Sequence, residues 1–214
     1  MTNPRTIWLV RHGNRQDFVD PQWRETAERP HDPGLSPDGL VQAQEVARRI
    51  AQEPIDHVFA SPYLRTIQTA HLIAETLGLP IKLEHGISEY LNPRWFSQQP
   101  ELLPLEDLTP QFPKLDAAYQ SRRFAQFPET DPDAMARAGE TARHLAAEFD
   151  GNLLFIGHGA SVLGATRGLL QHEIDFSVPL CSLVKLVQQD GGWEAELIAD
   201  ISHLSQSEAE VRLN

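Results

Sequence analysis

Four consecutive apolar residues, Ile7-Trp8-Leu9-Val10, give way without transition to Arg11-His12-Gly13. An apolar run that is continuous rather than alternating must be covered on both faces, as in a strand inside a parallel sheet flanked by helices. The same device returns at Leu153-Leu154-Phe155-Ile156 before Gly157-His158-Gly159, and at His57-Val58-Phe59-Ala60 before Ser61-Pro62. Between these runs the apolar spacing lengthens to three and four. Leu40, Ala43, Ala47 and Ile50 follow Ser36-Pro37, and Leu64, Ile67, Ala70, Ala74 and Leu77 lie between Ser61-Pro62 and Gly78. Serine before proline offers an N-cap and a first-turn proline, and glycine a C-terminal stop, so both stretches are predicted helices with Arg65 in a first turn. Further helices are expected from about 131 to 149 and from 159 to about 170, with an edge-like strand at 81–84. A hairpin of strands 183–188 and 193–198 turns across Asp190-Gly191-Gly192. Strands alternating with helices predict an α/β sandwich with a mostly parallel central sheet, whose site lies beyond the carboxyl ends of the strands.

Residues 91–135 break this rhythm. They hold seven of the sixteen prolines and six of the sixteen aromatic residues, with no sustained period. This stretch reads as an insertion packed over the C-terminal strand ends of one domain spanning 1–214.

Three junctions at those strand ends carry polar chemistry: Arg11-His12, Arg65 and His158. Phosphoryl transfer asks for little more than charge placed around the equatorial oxygens, an in-line nucleophile and a proton donor for the leaving oxygen. Arg11, Arg15 and Arg65 offer planar, permanently charged forks suited to phosphate. His12 can attack as a neutral imidazole, more so beside arginines that disfavour the imidazolium. Glu89 is a candidate acid, and His158 a candidate donor to the phosphoryl group. The other histidines, among them His31, lack close metal-ligand spacing, so structural or surface roles are expected for them. No metal or cofactor is expected.

Arg11-His12-Gly13, the run from Ser61 to Ala70 (SPYLRTIQTA), Glu89, and Gly157-His158-Gly159 together resemble the histidine phosphatase superfamily, also called phosphoglycerate-mutase-like. The resemblance implies a three-layer α/β/α sandwich, a phosphohistidine intermediate on His12, a phosphate pocket of Arg11, Arg65 and His158, and Glu89 as proton donor. The acid-phosphatase branch carries an aspartate after the second histidine, whereas Gly159 follows His158 here. Mutases of the family read Arg-His-Gly-Glu-Ser, whereas this chain reads Arg-His-Gly-Asn-Arg. An arginine two places after the glycine resembles the branch holding the phosphatase domains of ubiquitin-associated and SH3-containing proteins, and implies that Arg15 also contacts phosphate. That branch usually carries glutamate where Asn14 stands.

The expected function is therefore metal-independent phosphomonoester hydrolysis, with a phosphoryl mutase or an inactive phosphate-binding regulatory domain as alternatives. Trp95, Phe96, Phe112 and Tyr119, with Phe18 and Trp23, are candidates to wall a pocket for an aromatic or otherwise apolar ester. A net charge of -12 argues against nucleic acid or an anionic membrane as partner, so any bound anion must be held by a local cluster. The lone cysteine, Cys181, excludes an internal disulfide. With no signal-peptide pattern and no apolar run near the roughly 18 residues of a membrane helix, a cytoplasmic protein is expected. Pairing of the chain with itself is left open.

Overall fold

The computed structural model describes residues 4–211. Along the chain run β1 (Thr6–Arg11), the single turn α1 (Trp23–Thr26), α2 (Pro37–Ile50), β2 (His57–Ala60), α3 (Leu64–Leu77) and β3 (Ile81–Leu83). After these come α4 (Leu105–Leu108), α5 (Asp131–Glu148), β4 (Leu153–Gly157), α6 (Gly159–Leu170), β5 (Leu183–Gln189), β6 (Gly192–Asp200) and α7 (Glu208–Val211). The strands form one sheet in the order β3-β2-β4-β1-β5-β6. β3, β2, β4 and β1 are mutually parallel, and the hairpin β5–β6 continues the sheet antiparallel from β1.

The continuous apolar runs are buried on both faces. Trp8, Val10, Val58, Ala60, Leu154 and Ile156 point into a core closed by α2 and α3. Their neighbours Ile7, Leu9, Phe59, Leu153 and Phe155 point into a second core closed by α5 and α6. This gives the three layers. α5 and α6 meet at bare backbone: a Cβ on Gly168 would lie 2.3 Å from the Cα of Gly139. Ser36 caps α2 by accepting from the Gly39 amide at 3.1 Å, and Gly78 ends α3 at φ 71. The face of α2 differs from the expected one, because Leu40 is 41% exposed while Val46 joins Ala43, Ala47 and Ile50 inside. Its neighbour Gly39 lies against the loop after β1, where an added Cβ would fall 2.1 Å from the carbonyl oxygen of Asn14. With Gly39 buried against that loop, the adjacent Leu40 lies on the outer side of α2.

The insertion runs from 91 to the start of α5 and divides in two. Trp95 and Phe96 reach the strand ends of β1 and β4. The remainder follows the edge of the sheet. Lys114 accepts from the Ile81 amide at 2.7 Å, and Leu108, Phe112 and Leu115 enter the core beneath α3. The buried Glu84 carboxylate gathers the return leg, accepting from the Tyr119 and Ser121 hydroxyls, both at 2.7 Å, and from the Arg122 amide at 2.9 Å. Among the described residues, no helix is long and apolar enough to cross a membrane.

Candidate active site

β1, β4 and β2 are adjacent and parallel, so their last residues deliver three side chains to one place. His12 leaves β1, His158 leaves β4, and Arg65 stands in the first turn of α3 behind β2. His12 and His158 are buried, with ring centroids 5.3 Å apart edge to face. The Nδ1 of His12 lies 2.7 Å from the Gly13 carbonyl oxygen, which can only accept. The Nδ1 therefore carries the proton, and Nε2 keeps the lone pair. Burial, reinforced by the charges on Arg65 and Arg11, holds the His12 imidazole well below the usual histidine value.

Arg65 is 1% exposed. Its Nη2 donates to Glu89 Oε2 at 3.0 Å and lies 3.2 Å from His158 Nδ1, while its Nε and Nη1 have no hydrogen-bond partner among the described residues. A buried guanidinium with donors left over is costly unless an anion completes it. Glu89 Oε2 is also 3.3 Å from His158 Nδ1. Burial alone would raise the Glu89 carboxyl, but His158, Arg65 and Arg15 overcome it and hold the group well below the usual carboxylate value. His158 is pushed down to about 4, chiefly by burial and against the pull of Glu89.

The two outer arginines are held differently. Arg11 Nη1 donates to the Val178 carbonyl at 2.6 Å and lies 3.5 Å from Glu208. Arg15 forks onto Asp17 at 2.9 and 2.6 Å and lies over the Phe18 ring. Arg11, His12, Arg15, Arg65 and Glu89 line one cavity of about 390 Å³, walled by Phe18, Trp95 and Phe96, with His158 behind it. Phe112 and Tyr119 are absent from this wall: Phe112 is buried in the core against His71 of α3, and Tyr119 packs against Phe59 and Phe149. Trp23 stands beside it, donating to the Pro30 carbonyl at 3.1 Å. His31 joins the wall instead, edge to face with Phe96 at 5.1 Å. The donor atoms of His12, Glu89 and His158 lie within 4.8 Å of one another, close enough for a cation to bridge. The guanidinium charges of Arg11, Arg15 and Arg65 around them oppose a cation and favour an anion.

Some contributors lay outside the sequence reading. Ser61 is not the cap of α3; that position falls to Tyr63, and the Ser61 hydroxyl is 2.7 Å from His158 Nε2. The open end of α3 is served from a distance by Asp32, whose Oδ1 accepts from the Leu64 amide at 2.8 Å and lies 4.0 Å from Arg65 Nη1. Its place two residues before Gly34 carries no local signal for this.

Residues 7–201 match the family model described as histidine phosphatase superfamily (branch 1). The chain belongs to that superfamily. Within it, the chain is 27% identical to the ecdysteroid-phosphate phosphatase of Drosophila melanogaster over 89% of its own length, and it spans 31% of that longer relative. It is 29% identical to a probable phosphoglycerate mutase of Yersinia enterocolitica, covering 92% of this chain and 94% of that one. Among solved structures the superfamily fold recurs in the ecdysone phosphate phosphatase of Bombix mori in complex with tungstate. The TM-score there is 0.76 at 21% identity, covering 95% of this chain and 96% of that one.

Proposed function

We propose that the protein is a phosphomonoesterase working through a phosphohistidine on His12, with the whole chain acting as one catalytic unit. The carrying observation is the pairing of a lone-pair-bearing His12 Nε2 with a buried Arg65 that has unpartnered donors. The ester's phosphoryl oxygens take the free Nε and Nη1 of Arg65, with Arg11 and Arg15 on the outer side. With the Ser61 hydroxyl donating to Nε2 of His158, its Nδ1–H faces the Glu89 carboxylate at 3.3 Å. Occupation of Arg65 by a dianion weakens its hold on Glu89, whose proton affinity then rises, so that it takes up a proton from solvent as the ester binds and returns it when phosphate leaves. Nε2 of His12 attacks phosphorus, the ester P–O bond breaks, and Glu89 gives its proton to the leaving oxygen. Glu89, now a carboxylate, takes a proton from the water that breaks the P–N bond. The sum is ester plus water giving alcohol plus inorganic phosphate, with no step that requires a metal.

Phe18, Trp95 and Phe96 support an aromatic or apolar leaving group. Aryl phosphates are therefore expected to exceed sugar phosphates in kcat/KM, and the reverse order would remove this preference. Cys181, buried with a free thiol, suits a reducing, cytoplasmic setting. The deciding experiment is p-nitrophenyl phosphate hydrolysis in the presence of a chelator by the wild type and by His12→Ala. Turnover that survives the chelator and vanishes in the variant supports the reading; full turnover by the variant overturns it. Similarity to a probable mutase keeps phosphoryl relocation as a second reading. Labelled phosphoryl retained on an isomerised product, rather than released to water, would favour it.

A further inference from the structure

The loop that carries Glu89 has no strand or helix of its own between the 3-10 turn at His85–Ile87 and the insertion, yet its main chain is held on every side. The agent is Arg137 of α5, whose side chain is 8% exposed. A guanidinium has five N–H donors, and the surroundings of Arg137 use all of them. Nε and Nη2 grip the two oxygens of the Glu129 carboxylate at 2.6 and 2.8 Å. Nη1 donates to the carbonyls of Gly86 and Ser88 at 2.9 and 3.4 Å, and Nη2 to the carbonyl of Glu89 at 3.2 Å. Glu129 closes the clamp from the other side, its Oε2 accepting from the Leu91 amide at 3.1 Å and its own amide donating to the Leu91 carbonyl at 3.0 Å. The loop also lies flat on α5: a Cβ on Gly86 would fall 2.2 Å from Thr141 Oγ1.

We propose that the buried Arg137–Glu129 pair is a positioning device for the proton donor, fixing the Glu89 main chain so that its carboxylate meets the leaving oxygen. This rests on the reading of Glu89 as general acid. Three loop carbonyls, those of Gly86, Ser88 and Glu89, hang on one planar fork, so losing the fork frees the carbonyl of Glu89 itself. A lysine cannot replace it, because a point-like ammonium has three donors and no fixed plane. The pair touches neither the phosphoryl pocket nor His12, so its loss acts on proton delivery rather than on phosphate binding or attack.

The test is a series of esters whose leaving groups differ in basicity, from p-nitrophenyl through phenyl to benzyl phosphate, assayed by kcat/KM. A nitrophenolate departs without a proton, whereas an alkoxide does not. Arg137→Lys and the uncharged pair Glu129→Gln/Arg137→Gln are compared with wild type and Glu89→Gln, each with its thermal unfolding recorded. The double variant avoids stranding a buried carboxylate. The expected result is a steeper dependence on leaving-group basicity in both variants, in the direction of Glu89→Gln, with the benzyl ester losing about tenfold more than the nitrophenyl ester. A uniform loss across the series, or none, with Glu89→Gln steep, overturns the positioning role and leaves the phosphatase reading intact. A flat series in Glu89→Gln removes Glu89 as the acid and this proposal with it.

Discussion

His158 is the residue whose environment has the plainest consequence for pH. Its folded value of about 4 lies below the ordinary 6.5. The unfolded chain therefore binds a proton that the folded chain refuses. The associated stability is present above pH 6.5 and is lost as pH falls from there toward about 4, amounting to roughly 3 kcal/mol. His12, lowered in the same sense, adds to it. The unfolding temperature should fall steadily across this window, and less steeply in His158→Gln; a constant value from pH 7 to 5 would contradict the assignment. At this scale the sequence was informative where chemistry sits beside a strand end. His12, Arg11, Arg65 and His158 were legible because a continuous apolar run stops at each junction. Ser61 was misread as a cap, since Ser-Pro is a cap signal by local rules and its hydroxyl is claimed by a histidine far along the chain. Arg137 gave no signal at all, because a helix arginine that binds a distant loop looks like any surface charge.

Among the elements, α3 depends on an acceptor that no local motif supplies. Asp32 takes the Leu64 amide, one of the first-turn N–H groups that has no partner within the helix. Asp32→Ala is expected to lower the unfolding free energy by about 1 kcal/mol and to raise KM through Arg65, whereas Asp32→Asn, which keeps an oxygen there, should retain most of the stability. Equal unfolding curves for wild type and Asp32→Ala would dismiss the remote cap. Element positions were legible from periodicity because the helices bury one stripe and the inner strands both faces. The insertion was not, since its order comes from Glu84 and from the β3 edge, contacts without a period in sequence. Trp95, Phe96, Phe112 and Tyr119 of the insertion read alike as candidates for a wall, yet Phe112 packs against His71 and Tyr119 against Phe59 and Phe149.

For the whole molecule, a charge of -12 surrounds the cationic hollow of Arg11, Arg15 and Arg65, so an anion repelled at a distance needs that local cluster to hold it. On the proposed function, inorganic phosphate is expected to complete the donors of Arg65 in the folded state alone. Calorimetry should show stabilisation of about 2.7 kcal/mol at roughly a hundred times Kd, a rise in Tm of roughly 5–10 °C for a domain of this size. Arg65→Met should abolish most of the rise, and an equal rise in that variant would place the anion elsewhere. The sheet order has a kinetic corollary. β1 pairs directly with β4, which brings together Thr6 and Asn152, 146 positions apart. His12 and His158 thus meet only once the chain has closed on itself across the long stretch between β1 and β4, an entropically late event. Catalytic competence should return in refolding with the slowest spectroscopic phase, and an N-terminal fragment released before β4 emerges should carry His12 without any turnover, so that the proposed activity stays silent until β4 has joined the sheet.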